Sequence, residues 1–308
     1  MKNFKEIELE CELRFRRNAQ YWHLFTDGNS AEIIFRSREE FIIGMNLLGI
    51  SKCYFPELKI FTFCLMNNHI HIILSGSKED CTSLFENFRT RLQRYFSRND
   101  EKTRLKGFKC SLLPIDNLQS LRNEIVYVNR NGYLVNSDCT PFSYRWGANM
   151  FIFNALASVI YGDCPPYSKL SFRDKRNICR SNTIEIPGDN LRIFDGMVLP
   201  SSFCETKEAE SFYRDAHHYF YAISKKYEAY SAIAHTLGDK IVLTDDEMVS
   251  ATISLCVREY GERRPVDLQP RQKIELARRL HRDYNASNRQ ICGILKLDRG
   301  IVNELFPQ

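Results

Sequence analysis

The chain has 308 residues, of which 44% are hydrophobic and 26% charged, and a formal net charge of +5. That length accommodates two domains, the composition is ordinary for a soluble globular protein, and no stretch approaches the roughly 20 apolar residues that cross a bilayer. The mild basicity permits a nucleic-acid partner without demanding one. Eleven scattered cysteines with no Cys-x-x-Cys pair read as reduced thiols of a cytoplasmic protein, not as a disulfide or zinc framework. The N-terminus, Met-Lys-Asn-Phe-Lys-Glu-Ile-Glu, carries no apolar signal segment.

In chain order, residues 19–26 (Ala-Gln-Tyr-Trp-His-Leu-Phe-Thr) read as a strand ended by the turn Asp27-Gly28-Asn29. Ser37 caps a helix over 38–48, with Glu40 completing a capping box. The apolar run over 58–74 is β-branched and aromatic, without Gly or Pro, so it has strand composition throughout. A helix follows over 79–97, a short strand near 108–113, and a helix that begins after Asp116 and stops at Gly132. This order predicts an α+β domain over 1–150 with the helices on one face of the sheet. Residues 151–243 read as a connecting region of loops and helix. The tyrosines of its 205–230 helix (Tyr213, Tyr219, Tyr221, Tyr227) suit packing better than base stacking.

Residues 244–308 read as all-helical. Thr244 and Glu247 cap a helix over 245–260, and Gln269-Pro270 open one running to about residue 284. Ser287 with Gln290 caps 288–295, and Asp298 caps 299–305. Short capped helices joined by tight turns form a helix-turn-helix pattern, which a generic helical bundle also satisfies. Arg289, Lys296 and Arg299 flank the recognition-helix position.

The chemistry-bearing motif is Met66-Asn-Asn-His-Ile-His71. Alternation on a strand puts His69 and His71 on one face, as two legs of a divalent-metal site. A bare His-x-His is also met by a polar strand face with hydrogen-bonded imidazoles. On the helix after Asp116, the apolar stripe is Leu118, Leu121, Ile125 and Val128. Tyr127 lies about 180° from Leu118 at 100° per residue, and Asn131 projects nearly beside it one turn later. A phenol and an amide so placed would offer the histidines a nucleophile and a third oxygen ligand.

These residues carry a resemblance. Phe61-Thr-Phe-Cys-Leu-Met-Asn-Asn-His-Ile-His-Ile-Ile-Leu74 resembles the metal-binding strand of the single-tyrosine HUH transposases, most closely the REP-associated tyrosine transposase branch. Tyr21-Trp-His-Leu-Phe-Thr-Asp-Gly28 and Ile34-Phe-Arg-Ser-Arg-Glu-Glu-Phe41 are similar to that branch's first strand and helix. Tyr127-Val-Asn-Arg-Asn131 is similar to its Tyr-x-x-x-Asn helix, and Tyr144-Arg-Trp-Gly147 to its Tyr-x-Trp-Ser close. The likeness spans about residues 13–150. This chain departs where the branch has Pro after the Asn, since Asn131 runs into Gly132-Tyr-Leu-Val, and where it has a final Ser pair, here Gly147-Ala148.

The resemblance implies a ferredoxin-like HUH domain that cuts and rejoins single-stranded or hairpin DNA. It implies Tyr127 as nucleophile, forming a 5′-phosphotyrosine, and Mg²⁺ or Mn²⁺ held by His69, His71 and Asn131. A DNA path is expected along Arg89, Arg91, Arg94, Arg98, Lys102 and Arg104, continued by Arg289, Lys296 and Arg299 in the C-terminal helices. The expected setting is the cytoplasm, in association with the nucleoid, with monomer and homodimer both open. Two other readings remain at this stage: a domesticated DNA-binding protein that does no strand transfer, and a replication-initiator or relaxase-like nickase.

Overall fold

Four short strands form one antiparallel sheet: β1 (Tyr21–Thr26), β2 (Lys59–Leu65), β3 (Ile70–Ser75) and β4 (Cys110–Ile115), in the order β2-β3-β1-β4. Helix α2 (Arg38–Lys52) joins β1 to β2, and α3 (Lys78–Arg98) joins β3 to β4, giving a β-α-β-β-α-β unit. The computed structural model describes the chain apart from residues 1–2, 19, 29–32, 100, 102, 135–142, 189, 226–232, 234–235, 238–244, 285 and 308. Among the described residues no helix is long and apolar enough to cross a membrane. Two compact units result, Met1–Ser224 and Lys225–Gln308.

Alternation along the strands gives the sheet two different faces. Leu24, Ile60, Phe63, Ile70, Ile72 and Leu74 share a core with Leu84, Phe85, Phe88 and Leu92 of α3 and with Ile43, Leu47 and Ile50 of α2. His23, Thr62 and His71 point the other way. That second face is covered by α4 (Leu118–Leu134), which packs on β2 and β3. The expectation of helices on one face is therefore corrected: α2 and α3 cover one side and α4 the other. The polar residues of α4 are what permit this, because they have partners. Thr62 donates its hydroxyl proton to Asn129 Oδ1, and Arg122 donates to the Phe212 carbonyl at 2.6 Å and to Glu8 at 2.6 Å. Glu8 lies on a helix the sequence reading did not include, α1 (Phe4–Phe15), opened by a capping box of Asn3 and Glu6.

The apolar run over 58–74 is a hairpin of β2 and β3, not one strand. Asn67 and Asn68 supply its turn, in which the Met66 N–H donates to the His69 carbonyl at 2.8 Å. The Asn67 carbonyl in turn accepts from Ile34 and Phe35 N–H groups at 2.7 and 2.8 Å. Helix α4 also runs past Gly132, which is no terminator. A Cβ there would collide with the Tyr144 ring, so glycine serves the close approach of that ring. The Tyr144 hydroxyl donates to the Leu65 carbonyl at 2.6 Å, which binds residues 144–148 along the β2 edge.

Residues 151–224 are not a linker. They include α5 (Ala155–Tyr161), α6 (Phe172–Cys179), a two-stranded ribbon of β5 (Ile193–Phe194) and β6 (Met197–Val198), α7 (Thr206–Ser211) and α8 (Ala216–Lys225). Tyr167, Ile178, Leu191, Val198 and Phe203 from this region join the α2–α3 core. Tyr213 donates to the Arg122 carbonyl at 2.8 Å, and the buried Tyr219 hydroxyl accepts from Asn129 at 2.8 Å, so both tyrosines serve packing.

The second unit holds α9 (Asp245–Tyr260), α10 (Pro270–Tyr284), α11 (Asn288–Leu295) and α12 (Arg299–Leu305) around Leu255, Leu276, Leu280, Ile291, Leu295 and Val302. Ser287 and Gln290 form the expected capping box, and the Asp298 carboxylate caps α12. Thr244 lies outside the described residues.

Candidate active site

The site is built on the α4 face of the sheet. His71 is the second residue of β3, opposite Phe25 of β1 and Cys64 of β2, and is 0% exposed. His69 sits at the end of the hairpin turn, one residue before β3, and is partly exposed. The two rings lie 5.0 Å apart, centroid to centroid, and nearly perpendicular at 87°. Tyr127 of α4 stands edge-on to His71 at 5.5 Å and 90°, and 6.1 Å from His23. The sequence-predicted histidines and tyrosine are thus brought together.

Two further residues belong to this group and were not anticipated. His23 of β1 places Nε2 3.0 Å from His71 Nδ1, and its own Nδ1 is 2.8 Å from a Glu124 carboxylate oxygen. A signal for each was present. His23 alternates with Tyr21 and Phe25 on an otherwise apolar strand face, and Glu124 lies three residues before Tyr127, on the same side of the helix.

The hydrogen-bond chain fixes which nitrogens keep lone pairs. Glu124 accepts from His23 Nδ1–H. Where the uncharged His71 donates Nδ1–H to His23 Nε2, its lone pair is on Nε2. His69 Nδ1–H donates to Asn68 Oδ1 at 2.7 Å, so its lone pair is also on Nε2. Burial pushes the His69 imidazole down to about 4, against the opposing pull of the Asp27 carboxylate. Burial, and then the His69 and His23 rings, hold His71 well below the ordinary imidazole value. Both rings are therefore uncharged at neutral pH, the form that ligates a cation.

Among the described residues no three of His, Cys, Asp and Glu converge, so a metal here would rest on two imidazoles completed by amide or water oxygens. Asn131 is the amide that the resemblance points to. It lies on α4 one turn beyond Tyr127, and its buried Nδ2 has no hydrogen-bond partner among the described residues. A buried amide without a protein partner suits a missing ligand, and the two ends of an amide exchange by rotation. The donor set fits a small divalent cation.

Gly28 closes the site at the end of β1. Its carbonyl accepts from Asn68 Nδ2 at 2.7 Å, and a Cβ there would stand 2.9 Å from His69 Nδ1. Gly28→Ala is expected to turn the His69 ring and weaken Mn²⁺ affinity severalfold in calorimetry, with little change in melting temperature. An unchanged affinity would show that His69 is not held by this contact. Removal of the outer partner in Glu124→Ala should lower Mn²⁺ affinity about tenfold, as loss of groups behind a ligand does. Equal affinity in that variant would remove Glu124 from the site.

The expected arginine path does not meet this centre. Arg89, Arg91, Arg94 and Arg98 lie on α3, across the sheet from His71 and Tyr127. Arg89 pairs with Glu86 at 3.0 Å, and Arg91 lies over the Tyr54 ring and donates to Asn87. Arg104 is no surface cation. It is 3% exposed, held between Glu40 and Glu101, and its guanidinium covers the Phe96 ring at 4.4 Å, so its place in the DNA path is withdrawn. Lys102 lies outside the described residues. In the second unit Arg289 pairs with Asp245 at 3.1 Å, while Lys296, at the left-handed C-cap of α11, and Arg299, at the start of α12, are exposed.

Comparison of the chain with protein-family models, with curated proteins and with solved structures finds no match.

Proposed function

We propose that this chain is a metal-dependent DNA strand transferase of the single-tyrosine HUH kind, with Tyr127 as nucleophile. The observation that carries the reading is Tyr127 standing edge-on to the uncharged His71 ring, which itself lies 5.0 Å from that of His69. The β2-β3-β1-β4 order of a β-α-β-β-α-β unit also supports it, because that is the ferredoxin-like arrangement the resemblance implies.

His69 Nε2, His71 Nε2 and the Asn131 amide are the groups that would hold Mg²⁺ or Mn²⁺. The bound ion supplies polarisation of the scissile phosphate and neutralises its charge. Tyr127 Oη attacks phosphorus, and the bond from phosphorus to the 3′ oxygen breaks. The phenolic proton passes to solvent, and the leaving 3′ oxygen takes a proton from solvent to become a 3′-hydroxyl. The product is a 5′-phosphotyrosine that retains the energy of the phosphodiester. Attack by another 3′-hydroxyl reverses the step, joins new ends and releases Tyr127. Glu124 and His23 keep the His71 ring in one tautomer throughout.

The test is incubation with end-labelled single-stranded hairpin DNA and Mn²⁺, followed by a denaturing gel. A protein-linked label is expected, and its absence across varied hairpins overturns the reading. One observation favours a second reading, a DNA-binding protein on the same fold that does not cut: Tyr127 is only 4% exposed. The same gel separates the two, since that protein shifts DNA on a native gel and forms no adduct.

The helix-turn-helix of α11 and α12 is proposed as a separate DNA reader. Deletion of residues 225–308 should weaken hairpin affinity and flatten its salt dependence while leaving adduct formation on short single strands intact. Unchanged affinity and site choice at several salt concentrations would make this unit a structural appendage.

A further inference from the structure

The strongest charge cluster outside the candidate active site lies across the sheet from the histidines. Arg91, Arg94 and Arg98 recur every three or four residues along α3, so they line one side of the helix, about one guanidinium per turn. Arg91 and Arg94 border a shallow depression on that helix. Arg98 then enters a cavity of about 310 Å³ shared with Arg173, Arg176 and Arg180 at helix α6. No carboxylate lines this cavity among the described residues.

Its charges are nearly uncompensated. Of the four arginines at the cavity, only Arg180 has a carboxylate partner among the described residues, Glu39 at 2.9 Å. Arg98 donates to the Arg180 carbonyl, which holds the C-cap of α6 beside α3. Four guanidiniums in one concavity repel one another, and a polyanion relieves that repulsion. The wall also offers Phe172, 63% exposed at the first turn of α6, with the Arg176 guanidinium 5.9 Å from its ring. An exposed aromatic among guanidiniums distinguishes a nucleic-acid strand from a bare phosphate, because it gives an unstacked base a surface.

We infer that Arg91, Arg94, Arg98, Arg173 and Arg176, with Phe172, form a docking track for single-stranded nucleic acid on the sheet face opposite the candidate active site. The inference rests only on the DNA-binding part of the proposed function, not on strand cleavage. The track holds a stretch of strand away from the phosphate that Tyr127 would attack. Each arginine contacts backbone phosphate, and Phe172 stacks one base.

The experiment measures binding of a fluorescent single-stranded oligonucleotide by the full chain as a function of salt. The triple variant Arg98→Gln, Arg173→Gln, Arg176→Gln should reduce the slope of log affinity against log salt by about 2, because each phosphate contact on a single strand contributes about 0.7. The double variant Arg173→Gln, Arg176→Gln alters two exposed side chains with no carboxylate partner among the described residues, so it keeps the test valid if the triple variant loses stability in a thermal melt. Phe172→Ala should lower affinity about tenfold at every salt concentration with the slope unchanged. An unchanged slope in the folded arginine variants, or a wild-type chain that binds no oligonucleotide, overturns the track. An arginine-dependent slope with no effect of Phe172→Ala, and with displacement by inorganic polyphosphate, reassigns the cavity to a free polyanion and equally overturns it. Wild-type binding with the expected slopes but no covalent adduct leaves the track standing and removes the transferase reading.

Discussion

Tyr127→Phe is expected to abolish the covalent DNA adduct completely and to leave DNA affinity within a few-fold of the wild type. Phenylalanine keeps the ring that packs edge-on against His71 at 5.5 Å and His23 at 6.1 Å, and deletes only the oxygen that attacks phosphorus. The fold should tolerate the change, since removing one buried hydroxyl costs about 1 kcal/mol, a fraction of the stability of an ordinary domain. His69→Ala should also lose the adduct, with Mn²⁺ binding falling alongside it, because its partly exposed ring leaves little cavity. His71→Ala is a poorer probe. His71 is fully buried, so its truncation removes core packing and costs on the order of 3 kcal/mol. His71→Gln keeps most of that volume and tests the ligand separately. A Tyr127→Phe protein that still carries labelled DNA on a denaturing gel would eliminate this residue as nucleophile.

Local signals in the sequence were good guides where the determinants are local. The caps at Ser287 and Asp298 define helices at 288–295 and 299–305 that match Asn288–Leu295 and Arg299–Leu305, because a cap is decided within four residues. The histidine pair and Tyr127 were legible for the same reason: a two-residue alternation and a helical repeat each fix a direction. Long-range pairing was not legible. A run of strand residues does not say where it folds back, so the hairpin turn at Asn67-Asn68 was missed. Helical periodicity places Arg91, Arg94 and Arg98 on one side of α3 but does not tell which sheet face α3 covers. Arg104 looked like the end of a basic run because, besides the nearby Glu101, its other carboxylate partner, Glu40, is 64 residues away. The pairing of His23 with Glu124 spans 101 residues, and only the strand register and the seating of α4 bring them together.

The same limit applies to the domain boundary at residue 150, and it yields the largest stability effect. A chain ending there is expected to be unfolded or molten, whereas a chain ending at residue 224 should melt cooperatively. Truncation at 150 strips Ile178, Leu191, Ile193, Met197, Val198 and Phe203 from the core they share with α2, α3 and the sheet. At about 1.5–3 kcal/mol for each fully buried side chain, the loss is roughly 10 kcal/mol or more, comparable with the whole stability of a typical domain. Polar debts add to it. Asn46 is buried and bonds the Gly196 carbonyl at 2.9 Å and the Val198 N–H at 2.7 Å. The Ile60 carbonyl of β2 accepts from Glu205 N–H at 2.7 Å, and Arg122 of α4 bonds the Phe212 carbonyl. Removing these partners leaves buried groups unsatisfied at about 1–3 kcal/mol each. The Arg122 contact matters most for function, because it anchors the helix that carries Tyr127. Circular dichroism melts and dye binding on the two truncated chains decide the matter. A cooperative melt for residues 1–150 would show that the sheet and α4 stand without the 151–224 layer. A chain of residues 1–224 that melts cooperatively and still forms the DNA adduct would place the catalytic unit within Met1–Ser224.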